Sequence, residues 1–140
     1  MTLIEFLDYL LSEYYEKTGI DVSDESLGSF TKMALSDYSE KAKNSPVNKK
    51  NAARIVEEFL RHNLHESDLP IKEACVLKDL YDCRICTNSV AQVYQKGIIK
   101  PLRKDVFGME EILSKDELIK VSERVFDKNK RLVPQNEEHS

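Results

Sequence analysis

The residues with the clearest chemical potential are Cys83 and Cys86, spaced C-x-x-C around Arg84 and Ile85. Two thiolates at that spacing can share one metal ion. His62 and His65, in the run H-N-L-H, would supply two imidazoles to complete a tetrahedral zinc site. Cys75 is a spare thiol. The same C-x-x-C could cycle between dithiol and disulfide, yet that chemistry is usually seated beside a βαβ pattern and none surrounds this pair. The simplest reading makes Cys86 a small hydrophobe on the inner face of a helix and leaves the two histidines as helix-end residues. Three cysteines, an odd number, in a chain with no visible leader agree with reduced thiols.

A second kind of chemistry belongs to two helix starts. Asn48-Lys49-Lys50 and Ser114-Lys115-Asp116-Glu117 each place a cation beside backbone N–H groups that lack helical partners, an arrangement that favours an anion. Ser114 and Glu117 have capping-box spacing, so hydroxyl and carboxylate satisfy each other's amides. Lys115, Ser114, Glu117, Lys49 and Asn48 are therefore the candidate anion contacts, with solvated helix-start lysines as the plainer alternative. Nothing suggests catalysis. Glu57-Glu58 and Glu110-Glu111 are adjacent acids, and neighbours along a helix point apart. A Ser-His-Asp set, a phosphate loop, a dinucleotide turn and a calcium loop are all missing. The chain reads as a non-enzyme, and zinc is the one cofactor worth weighing.

These residues must be positioned by helices. The chain has 140 residues, 41% of them hydrophobic and 33% charged, with a formal charge of −4. That length suits one domain with its own core. The acidic balance argues against a nucleic-acid backbone binder, which normally carries a basic stripe. Only four glycines and four prolines leave few encoded turns, against an all-β fold. No apolar run is long enough for membrane insertion. The acidic N-terminal run Met1 to Asp8 does not resemble a secretory leader. A cytoplasmic location is the expectation, and a cell-surface one would require a leader that has been trimmed.

Thr2 and Glu5 form a capping box, after which Leu3, Leu7, Leu10, Leu11 and Tyr14 share one helical face that ends near Gly19. Residues 21–29 form a polar connector. Thr31 to Lys43 reads as a second helix, broken by Asn44-Ser45-Pro46. Asn48 caps a third helix with Ala52, Ile55, Val56, Phe59 and Leu60 inward. Ile71 to Leu80 gives a short helical turn. Asp82 caps the next helix, with Cys86, Val90, Val93 and Tyr94 inward and Gly97 as terminator. Leu118, Val121, Val125 and Phe126 supply the face of the last. Residues 128–140 read as a polar, frayed tail.

Residues 79–127 follow the spacing of a known module. Val90 and Val93 lie on an apolar helix that ends in Gly97-Ile98. Phe107 follows a loop, and Leu113-Ser114-Lys115-Asp116-Glu117 opens the next helix. This segment resembles an S-layer homology repeat, a helical hairpin with Gly-Ile, an aromatic, and an apolar-Thr-Arg-Ala-Glu helix start in that order. The first half, residues 1–65, echoes it through Gly19-Ile20 and Val47 to Asn51, as a degenerate repeat would. The resemblance implies non-enzymatic binding, in the family of an acidic cell-wall polysaccharide at the cationic helix start. Ile85 stands where the family has Trp, which removes a stacking platform, and Lys115 replaces Arg, which keeps the charge but loses the bidentate fork.

The expectation is an all-α bundle of about five or six helices spanning residues 1–127, with a helical hairpin as its C-terminal half. The expected function is a binding module for a protein partner. An anionic glycan held through the helix-start lysines, or a zinc-dependent regulator, are the alternatives.

Overall fold

A computed structural model describes residues 1–20, 36 and 38–132. It divides into two compact units, Met1–Val47 and Asn48–Ser140. The boundary falls inside residues 1–65, the stretch expected to be a degenerate repeat. The architecture is all-α as expected, with three isolated β-bridges and no strand among the described residues.

In the first unit, helix α1 (Leu3–Thr18) opens with the capping box: Glu5 N donates to Thr2 Oγ1 at 3.2 Å and Thr2 N to Glu5 Oε1 at 2.8 Å. Its buried face carries Leu3, Phe6, Leu7, Leu10, Leu11 and Tyr14, the i, i+3, i+4, i+7 pattern of one stripe. Gly19 adopts φ +76° and its N–H closes on the Tyr15 carbonyl at 2.8 Å, so the helix stops there. The single turn α2 (Glu40–Lys43) is capped by Ser39. Its C-terminal neighbour Ser45 accepts a bond from Leu3 N at 3.3 Å, tying the segment back to the start of α1. Residues 31–35 and 37 of the expected helix from Thr31 to Lys43, and the connector before it, lie outside the described residues. In the described part Tyr38 and Ser39 are not helical and Ser39 caps a separate turn, so the stretch is not one helix running to Lys43.

The second unit is built on α3 (Lys49–His62), capped by Asn48, whose Oδ1 accepts from Asn51 N at 2.9 Å. Ala52, Ala53, Ile55, Val56, Phe59 and Leu60 face its core. Each fully buried Leu, Ile or Phe there contributes about 1.5–3 kcal/mol relative to exposure. Helix α4 (Thr87–Gln95) packs against α3. Two glutamines on α4 hold the preceding segment as a strand neighbour would. Gln92 donates to the Leu69 carbonyl at 2.7 Å and accepts from Leu69 N at 2.8 Å. Gln95 donates to the Pro70 carbonyl at 2.9 Å and accepts from Ala74 N at 3.0 Å. These bonds seat the 3₁₀ helix Ile71–Val76 on α4. Helix α5 (Lys115–Phe126) completes the unit, with the expected Ser114–Glu117 capping box and Leu118, Val121, Ser122 and Val125 buried.

Three expectations are corrected. The helix thought to begin at Asp82 begins at Thr87, because Cys83 and Cys86 are joined in a disulfide that closes the 3₁₀ turn Arg84–Cys86. Thr87 Oγ1 braces that turn by donating to the Leu80 and Cys83 carbonyls at 3.0 and 3.1 Å. The thiols of Cys83 and Cys86 are thus not reduced, and only Cys75 is free. The tail is also not frayed from Lys128. The chain continues through the 3₁₀ turn Lys128–Lys130 to a docked Arg131 and Leu132. Arg131 forms a fork to Glu66, 2.9 Å to each carboxylate oxygen, and Nζ of Lys96 reaches the same carboxylate at 3.1 Å. Residues 133–140 lie outside the described residues.

Candidate functional site

The site lies on the second unit, where the end of α4, the loop after it and α5 meet. Helix α4 terminates at Gly97, whose φ of +71° suits only glycine well. A Cβ there would overlap the carbonyl of Leu132, whose N–H donates to the Gly97 carbonyl at 2.7 Å. Glycine is thus needed twice, for the turn and for the close passage of the C-terminal strap. Ile98 and Ile99 are buried immediately after it.

The loop to α5 is held from below by Asp79. Its carboxylate accepts from Phe107 N and Gly108 N, both at 2.9 Å, and Phe107 is fully buried. Lys49 holds the same loop from α3. Its Nζ donates to the Phe107 carbonyl at 2.9 Å, pairs with Glu111 at 2.7 Å and lies 5.5 Å from the Phe107 ring centre. The backbone follows suit. Lys49 N donates to the Glu111 carbonyl at 2.9 Å and Lys50 N to the Met109 carbonyl at 3.1 Å, beside an Asn48–Ile112 bridge. Lys50 pairs with Glu110. The N-terminal amides of α3 are therefore filled by the protein's own carbonyls.

A groove of about 630 Å³ opens between these parts. Its apolar lining includes Tyr94, Ile99, Leu102, Leu113, Val121 and Leu132, and its charged lining is Lys49, Lys100, Lys120, Arg124, Glu111 and Glu117. The two carboxylates are already engaged. Glu111 holds Lys49, and Glu117 accepts from Ser114 N at 3.3 Å and Ser114 Oγ at 3.1 Å. Three cations are thus left facing the space. Arg124 is the most confined of them. It is half-buried, its Nη1 donates to the Ile98 carbonyl at 3.2 Å, and among the described residues it forms no ion pair with a carboxylate. Burial pulls its guanidinium below the usual arginine value, opposed by the charge of Glu123. Burial, and then the charge of Glu73, push the Tyr94 phenol upward.

Of the sequence-predicted anion contacts, Lys49 and Glu117 line this groove; Asn48, Ser114 and Lys115 do not. Lys49 is matched within the protein. Lys115 is exposed at the start of α5 and forms no ion pair among the described residues. Sequence reasoning missed Lys100, Lys120 and Arg124. A signal existed for two of them: Lys120 and Arg124 are like charges four apart on one helical face, a mildly unfavourable pair that calls for an anion between them.

The residues weighed for zinc are arranged otherwise. Cys83 and Cys86 are bonded to each other, which removes both thiolates in this oxidation state. His62 is exposed in the last turn of α3 and His65 is exposed beyond its end, with a φ of +54°. Among the described residues no group of three or more His, Cys, Asp or Glu side chains is placed to hold a metal ion. No described helix is long and apolar enough to cross a membrane. Comparison with family models, curated proteins and solved structures gave no match.

Proposed function

We propose that this chain is a non-enzymatic binding module whose groove receives a carboxylate-bearing ligand of sugar size, an acidic sugar of the class that the S-layer homology resemblance implies. The observation that carries the reading is Arg124. A half-buried guanidinium with a single backbone acceptor and no carboxylate partner among the described residues is a desolvated cation awaiting an anion. Lys100 and Lys120 add positive charge at the same opening, and Ile99, Leu113 and Val121 offer an apolar wall for a sugar's carbon face. The volume of about 630 Å³ falls within the range typical of small-ligand pockets. The anion contacts are thus moved from the helix-start lysines to the middle of α5.

The test is a titration of the full chain with glucuronate, with glucose as the neutral control, followed by amide chemical shifts. Saturable shifts confined to residues 97–102 and 113–124 with glucuronate alone support the reading. Equal responses to both sugars, or none to either, overturn it.

A protein partner is the second reading. Leu69, Val76, Tyr81 and Ile85 lie within one short stretch, Tyr81 and Ile85 being 61% and 74% exposed. A partner whose capture is lost on Tyr81→Ser or Ile85→Ser, and kept on Arg124→Gln, favours this reading over the groove.

A further inference from the structure

We propose that Cys83 and Cys86 are a redox-active pair that undergoes thiol–disulfide exchange with a low-molecular-weight thiol of the glutathione class. Three independent observations converge on the turn that holds them. The first is asymmetry of access: Cys83 is half-exposed, whereas Cys86 is 1% exposed. An incoming sulfur has one accessible target. The second is position. Cys86 is the N-cap residue of α4, and no side chain caps that helix while the bridge is closed. A sulfur released from the bridge lies at the junction of the 3₁₀ turn and α4, where the helix dipole favours the thiolate although the Thr87 amide is already spent on the Arg84 carbonyl. The third is the shortness of the loop. Cys83 and Cys86 are three positions apart with Cα atoms 5.1 Å apart, so the bridge removes little chain entropy from the unfolded state. Such a bridge closes the local turn but is a weaker staple than one across a long loop, which leaves room for a second role. Arg84, exposed between the cysteines, adds a cation beside the pair, and Asp82 on the other flank opposes it.

The exchange balances without any further reagent. A small-molecule thiolate attacks Cys83 Sγ, the Sγ–Sγ bond breaks, and the electron pair leaves on Cys86 as a thiolate. A second small thiolate attacks its partner sulfur in the mixed disulfide and releases Cys83. The protein gains two electrons and two protons, and two thiols become one small-molecule disulfide. The reverse sequence closes the bridge. Cys86 packs beside α3 with the bridge closed, and on reduction it is expected to remain there with the fold retained. The groove plays no part in this reaction.

The experiment uses the full chain carrying Cys75→Ser, which removes the exposed free thiol. The protein is equilibrated across ratios of reduced to oxidised glutathione, quenched in acid and labelled with a maleimide-polyethylene glycol, while circular dichroism follows the fold. The expected result is full interconversion between zero and two labelled thiols with an unchanged helical spectrum. In oxidised glutathione, adding Cys86→Ser should trap a mixed disulfide on Cys83, and adding Cys83→Ser should trap at least tenfold less on Cys86. Opening only in denaturant would make the bridge a structural staple and overturn the proposal. A dithiol at every ratio, or equal trapping in both variants, would also overturn it. If either variant fails to fold, the interconversion under native conditions decides alone.

Discussion

Glu66→Gln is the most informative single change to the second unit. The carboxylate joins the loop after α3 to the C-terminal strap, 65 positions apart in the chain, through the Arg131 fork and the Lys96 ammonium. All three side chains are shielded: 14% of Glu66, 11% of Arg131 and 4% of Lys96 is exposed. Gln keeps the shape and removes the charge, leaving two buried cations without a counter-ion. Breaking a buried pair in this way costs about 3–5 kcal/mol. Some acceptors remain, because Arg131 also donates to the Arg124 and Val125 carbonyls and Lys96 to that of Ser67. The expected loss is therefore lower, about 2–4 kcal/mol, and of order 10 °C or more in melting temperature for a domain of this size.

The dependence on pH follows from Glu66 as well. Desolvation is the largest influence on its carboxyl and acts upward, but the hydrogen bonds and charges of Arg131 and Lys96 together outweigh it and hold the value below the ordinary one. A carboxyl depressed on folding contributes its stability above the unfolded value and loses it as pH falls through the folded one. The gap between wild type and Glu66→Gln should be full at pH 7 and shrink toward pH 3. Urea unfolding followed by circular dichroism at both pH values measures this. A loss under about 0.5 kcal/mol, the scale of an ordinary surface change, or a gap independent of pH, would refute the reasoning.

Gly97→Ala should cost about 1 kcal/mol or more, from the positive φ and from displacement of Leu132. Hydrogen exchange at the Leu132 amide should lose its protection, and an unchanged rate there would mean that the strap does not rest on Gly97. Lys49→Met should destabilise the unit by about 1–2 kcal/mol, because it removes a charged donor from the Phe107 carbonyl, which keeps only its bond from Leu102 N, while Glu111, 41% exposed, can be hydrated instead. Chemical denaturation measures it, and a neutral result would make Lys49 a dispensable surface cation after all.

The parts of the fold legible in the sequence are those set by neighbours a few residues apart. Thr2 with Glu5, Asn48 with Asn51, and Ser114 with Glu117 declare their helix starts because a cap is satisfied within one turn. The apolar stripe of α3 is read just as directly from its period. Gly19 and Gly97 declare helix ends for the same local reason. What was hidden depends on distant partners. Lys49 looks like a solvated helix-start lysine until Phe107 and Glu111 are brought over it. Residues 128–132 look like polar tail because their polar atoms are satisfied by Glu66 and by carbonyls on α5. The helical period around Cys86 concealed a covalently closed 3₁₀ turn, since a disulfide leaves no mark on hydrophobic spacing. Arg124 was hidden because a cation near a helix end already has a sufficient explanation in the dipole.

The central claim is that Arg124, rather than a helix-start lysine, anchors a carboxylate in the groove. Calorimetric titration of glucuronate into wild type, Arg124→Gln and Lys115→Ala tests it most directly. Losing a charge-assisted hydrogen bond is worth about 1.5–3 kcal/mol, so Arg124→Gln should weaken binding about tenfold or more while Lys115→Ala leaves it unchanged. Equal affinity in wild type and Arg124→Gln, or a loss confined to Lys115→Ala, would contradict the account.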